Sequence, residues 1–93
     1  MIPPSGWALI VFSAKWCSVC PLWLAALERA ALPVPLVILD VEDHTDLATR
    51  YCVSSVPTTA LFLDGVYHSL VVSGTCPIAR LTQRVNEIVQ NHR

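Results

Sequence analysis

Charge is scarce in this chain. Of its 93 residues only 14% are charged, six basic and seven acidic, and Lys15 is the sole lysine. No basic cluster exists that could follow a phosphate backbone, which argues against nucleic-acid binding. No apolar run reaches the ~20 residues that a membrane span requires, so no membrane segment is expected. The start, Met1-Ile2-Pro3-Pro4-Ser5-Gly6, has neither the charged head nor the long apolar core of a signal peptide. The expectation is therefore a cytoplasmic protein, a setting in which lasting structural disulfides are rare. No linker, repeat or low-complexity tract interrupts the chain, and its length suits a single domain over residues 1–93.

What is present is mostly apolar: 54% of the residues are hydrophobic. Continuous apolar runs are what a sheet covered on both faces needs. An exposed apolar surface for a partner is the competing reading.

Trp7–Ser13 reads as a buried strand. The Ala/Leu-rich stretch from Ser18 to about Ala31 reads as a helix, ended by Pro33 and Pro35. Val34–Asp40 is a second buried strand. A short helix starts near Asp43, a candidate N-cap, and runs to about Tyr51. Val53–Pro57 is a loop, and Thr58–Leu63 a third strand. Asp64-Gly65 marks a hairpin turn into a fourth strand, Tyr67–Val72. Gly74 ends that strand, and a last helix runs from about Pro77 to Asn91 with Ile78, Leu81, Val85, Ile88 and Val89 on one stripe. The order β-α-β-α-β-β-α predicts an α/β fold. Its first two strands should be parallel with a right-handed crossover, and its last two an antiparallel hairpin. The result is one mixed sheet in the order 2-1-3-4 with helices on both faces.

Four cysteines are present: Cys17, Cys20, Cys52 and Cys76. Cys17 and Cys20 stand three positions apart where the first strand gives way to the first helix. A cysteine there meets unpaired N–H groups and the positive end of the peptide dipoles, which favour a thiolate. A second thiol three residues on can cycle with the first between dithiol and disulfide. A metal clip would need further ligands from Cys52, Cys76 or a histidine, and no second Cys-x-x-Cys is available. Cys52 and Cys76 read as small fillers, or as partners in a regulatory or intermolecular disulfide. His44, His68 and His92 are scattered and form no pattern. Trp23 and Leu27, one turn apart, read as core.

Phe12-x-Ala14-x-Trp16-Cys17-x-x-Cys20 resembles the active-site block of the thioredoxin superfamily, closer to thioredoxin than to glutaredoxin. Further blocks follow in the same order: Leu39-Asp40-Val41-Glu42, then Leu47-Ala48-x-x-Tyr51-x-Val53-x-x-Val56-Pro57-Thr58, then Phe62-x-Asp64-Gly65 and Gly74. The resemblance implies a thioredoxin-like fold of glutaredoxin size, without the family's usual first strand and helix. It implies a thiol–disulfide oxidoreductase that reduces protein disulfides, with Cys17 attacking and Cys20, one turn into the helix, buried and resolving. Trp16, Val56, Pro57, Ser73 and Gly74 would bind the substrate, with a cis bond between Val56 and Pro57. A packed aromatic at Trp16 and a trans proline are the plainer alternatives. No cofactor is implied. The expected partners are disulfide-bearing proteins, with a thioredoxin reductase or glutathione as electron source, and the chain should act as a monomer. A binding module of the same fold with little turnover is the rival, as is a glutathione-dependent, glutaredoxin-like reductase. There are departures. Val11 replaces the family's buried acid and Ile38 its lysine partner. Ser18-Val19 fills the motif, Pro21 follows it, and Cys52 occupies a position that requires φ > 0.

Overall fold

In the computed structural model, which describes residues 2–92, the elements are β1 (Trp7–Ser13), α1 (Cys20–Arg29), β2 (Leu36–Asp40), α2 (Thr45–Arg50), β3 (Thr58–Leu63), β4 (Val66–Ser73) and α3 (Ile78–Asn91). The strands form one sheet in the order β2-β1-β3-β4. β1 and β2 are parallel, while β1–β3 and β3–β4 are antiparallel. Fold and strand order are those read from the sequence.

The apolar run of β1 is explained by what covers it. Leu9 and Val11 point to one face and join Trp23, Leu27, Leu61, Leu81 and Val85 beneath α1 and α3. Ala8, Ile10 and Phe12 point to the other, with Leu39, Ala60, Phe62 and α2 residues such as Leu47. A strand whose two faces both meet core cannot alternate with polar residues. A buried polar pair in the first layer is satisfied: the Trp23 indole N–H donates to Thr59 Oγ1 at 3.1 Å.

Several boundaries differ from the sequence reading, each for a local reason. α1 begins at Cys20 rather than Ser18, because Cys17 N–H closes a turn onto Ala14 C=O and Val19 serves as the N-cap. It stops at Arg29, where Ala30 turns extended on the approach to the two prolines. β2 starts at Leu36 rather than Val34. Pro35 has no N–H to give a ladder, although its carbonyl already accepts from Leu9 N–H. Asp43 is not the cap of α2; His44 holds that position without a side-chain bond. The chain is turned there by Asp40, whose carbonyl accepts from Asp43 and His44 and whose Oδ1 accepts from Glu42 N–H. β4 is longer than expected and carries two irregularities of register, between Thr59/Ala60 and between Leu61/Phe62 of its partner strand.

The Asp-Gly turn behaves as its residues require. Asp64 (φ 53°) and Gly65 (φ 80°) both take positive φ, the pattern of a type I′ hairpin. Asp64 also clamps the start of the chain, accepting Gly6 N–H on Oδ1 at 2.7 Å.

Candidate functional site

Cys17 and Cys20 lie at the carboxyl end of β1 and are joined as a disulfide, Cα–Cα 5.4 Å. Cys20 is the first residue of α1, not a turn inside it, and Cys17 lies in the turn before the helix. Both residues are buried, Cys17 with 7% of its surface exposed and Cys20 with 1%, so Cys17 is the more accessible residue of the pair. Ala14 completes a small buried cluster with the pair, and Val41 and Val56 pack against it.

The Val56–Pro57 peptide is cis. It brings the Val56 carbonyl oxygen to 3.9 Å from Cys17 Sγ. Pro57 is held from the far side, since its carbonyl accepts Gly74 N–H at 2.7 Å. Ser73 pairs with Thr58 across the sheet, and its hydroxyl lies 3.3 Å from that of Ser55. Thr58 Oγ1–H in turn donates to Ser55 C=O at 2.6 Å. Val56, Pro57, Ser73 and Gly74, far apart in sequence, thus form one shelf whose Val56 edge lies beside Cys17. Trp16 stands next to it with 69% of its surface exposed, and Leu22 and Val19 are exposed on the adjoining turn and helix.

Leu22 was not singled out from the sequence, where it reads as an ordinary helix leucine. Ser55 was also missed; only the sheet register brings it to Ser73. A third unforeseen feature is an open cleft on the side of the pair away from this shelf. It is lined by Lys15, Cys20, Pro21, Ile38, Asp40 and His44, among others. Val11 and Ile38, which stand where the resembling family has an acid and a lysine, are register partners on neighbouring strands. No carboxylate enters the core at that point.

The other cysteines lie elsewhere. Cys52 is free and exposed just after α2, with φ 56°, and Cys76 is free and half-buried against the α1/α3 layer. The histidines are not all scattered, as the sequence suggested. His68 and His92 meet edge to face at 5.2 Å, and both rings contact Trp7. Among the described residues, no group of three or more His, Cys, Asp or Glu is arranged to hold a metal ion. No helix among them is long and apolar enough to cross a membrane.

A mixed four-stranded sheet that carries a Cys-x-x-Cys pair at the end of its first strand, opposite a cis-proline, defines a thioredoxin-fold protein. The thioredoxin family model matches residues 3–87, and the chain belongs to that family. A thioredoxin of Chlamydia trachomatis is 41% identical over 64 residues, covering 66% of this chain and 63% of that protein. The chain spans a little under two thirds of the length of the bacterial thioredoxins it matches. Among solved structures, a thioredoxin mutant from Halobacterium salinarum superposes with a TM-score of 0.77 at 28% identity, over 89% of this chain and 74% of the other. Oxidised mitochondrial thioredoxin 3 of Saccharomyces cerevisiae gives 0.74 at 29%, over 92% and 82%.

Proposed function

We propose that the chain, as one domain over residues 1–93, is a thiol–disulfide oxidoreductase that reduces disulfides of protein substrates. The observation that carries this reading is the juxtaposition of the Cys17–Cys20 pair with the Val56–Pro57 shelf.

In the reduced protein the Cys17 thiolate attacks one sulfur of a substrate disulfide. A Cys17–substrate mixed disulfide forms and the first substrate thiolate leaves. Cys20 gives up its proton and attacks Cys17 Sγ, which releases the second substrate thiol and restores the Cys17–Cys20 disulfide. Two electrons pass to the substrate, and both substrate sulfurs end as thiols. Val56 offers its backbone to an extended substrate segment, Pro57, Ser73 and Gly74 form the floor, and Trp16 supplies an apolar wall. The Cys20 proton leaves through water in the cleft lined by Asp40 and His44, since Val11 can take none. A thioredoxin reductase or glutathione returns the electrons. Both thiols belong to one chain, so a monomer suffices for the chemistry.

The test is turnover with insulin and with a small aromatic disulfide. Cys17→Ser should abolish turnover, and Cys20→Ser should accumulate mixed disulfides visible by mass spectrometry. Full activity in Cys17→Ser would reverse the roles, and no turnover in the unaltered chain would favour a binding module.

A further inference from the structure

One of the two irregularities in β4 falls at His68. Phe62 pairs with Tyr67 and Leu61 with Ser69, so His68 is an extra residue with no partner in β3. Successive side chains of a regular strand point to opposite faces. Tyr67 turns to the α2 face, where its ring meets Tyr51 and Phe62. The bulge re-aims His68 to the α3 face together with Ser69. There its ring meets Trp7 at 4.8 Å, and its Nδ1 lies 3.1 Å from Ser69 Oγ.

α3 brings a second imidazole to the same place. His92 is the C-cap of the helix, and its N–H donates to Ile88 C=O at 3.2 Å. Its ring centroid lies 5.3 Å from that of Trp7 and 5.2 Å from that of His68, nearly perpendicular to both. Both histidines are exposed. They open on a cleft of about 650 Å³ that they share with Ser69, Arg84, Glu87 and Asn91.

We propose that His68 and His92 together bind one divalent transition-metal ion of the Zn²⁺ type, which imidazole nitrogens suit. The spacing of the rings is the first argument. Two imidazoles on one tetrahedral ion, each bound at about 2.0–2.1 Å, have their centroids about 5 Å apart. The second argument is the support behind the rings. Ser69 engages Nδ1 of His68 and so leaves Nε2 for the ion, while Trp7 restrains both rings; such outer contacts fix the orientation of a ligand. The third is charge. The C-terminal carbonyls of α3 and the Glu87 carboxylate favour a cation here and oppose an anion, against the single positive charge of Arg84. Water completes the coordination shell. The ion would tie β4 to the end of α3. Trp7 opens β1 and the cysteine pair lies beyond its last residue, Ser13, about 20 Å away along the strand. The site is therefore separate from the thiol chemistry, and this inference does not depend on the proposed catalysis.

The test is calorimetric titration with Zn²⁺ of the chain without a histidine tag. The Cys17–Cys20 disulfide is kept closed and Cys52 and Cys76 are alkylated, so that no thiol competes. A saturable isotherm with one ion per chain is expected, and the unfolding temperature should rise with Zn²⁺ concentration. His68→Phe and His92→Phe each keep a ring against Trp7 but remove the ligating nitrogens. Each should weaken binding by at least about tenfold and abolish the thermal shift. Circular dichroism checks that they fold, and His68→Gln and His92→Gln repeat the test should a phenylalanine disturb the fold. Glu87→Gln should weaken binding several-fold, and His44→Ala should leave Zn²⁺ binding unchanged. In NMR spectra the Trp7 indole N–H should move with Zn²⁺, while those of Trp16 and Trp23 stay in place. No saturable binding, binding that survives loss of either His68 or His92, or binding lost in His44→Ala would overturn the inference.

Discussion

Cys52 shows how a single residue can work against its own backbone. It stands one residue past the C-cap Tyr51, with φ 56°. Cys52 N–H bonds Thr49 C=O at 3.2 Å and Val53 N–H bonds Ala48 C=O at 2.8 Å, the paired bonds that close a Schellman motif. That motif calls for glycine, because a Cβ in the left-handed region costs about 1–2 kcal/mol. Cys52→Gly should therefore raise unfolding stability by about 1 kcal/mol in a urea titration, less a little for the greater freedom of glycine in the unfolded chain. Val11 is the converse case, a residue that fits its surroundings but not the chemistry. It is fully buried beside Trp23, one turn of α1 from Cys20. An acid there is expected to take the Cys20 proton, directly or through water. Val11→Asp should speed stopped-flow reduction of a model disulfide at neutral pH, while an uncompensated charge in the core costs about 3–5 kcal/mol. An unchanged rate in a folded variant would mean that loss of the Cys20 proton does not limit exchange.

At the scale of elements, legibility followed punctuation. β1 and β3 have the bounds read from the sequence because each ends where its neighbours cannot continue a ladder: Gly6 and the motif turn for one, Pro57 and Asp64 for the other. α1 and α2 were read too long because their ends depend on backbone bonds such as those to Asp40 C=O, which no residue type announces. α3 was read nearly in full, since Ile78, Leu81, Val85, Ile88 and Val89 fall on one face of a 3.6-residue repeat. Leu81 and Val85 are its buried pair, while Arg80, Gln83 and Arg84 are exposed. Leu81→Ala should cost about 2–5 kcal/mol by thermal or chemical denaturation. Gln83→Ala, on the exposed face, should stay within about 0.5 kcal/mol.

Across the whole molecule, the sequence by itself determined the layers. A chain with so many apolar residues and so few charges has to cover a sheet on both sides, and its crossover and its Asp-Gly turn make the first two strands parallel and the last two an antiparallel hairpin. It also placed the cysteine pair at a strand-to-helix junction, because that pair is local. Tertiary structure alone decided what surrounds the pair. The shelf of Val56, Pro57, Ser73 and Gly74 exists because β3 and β4 pair in one register and Gly74 N–H finds Pro57 C=O. The cleft behind Cys20 and the meeting of Trp7, His68 and His92 arise in the same way. Each joins residues distant along the chain, and such contacts depend on how elements stack and which strand ends the sheet. Local propensity carries no record of either.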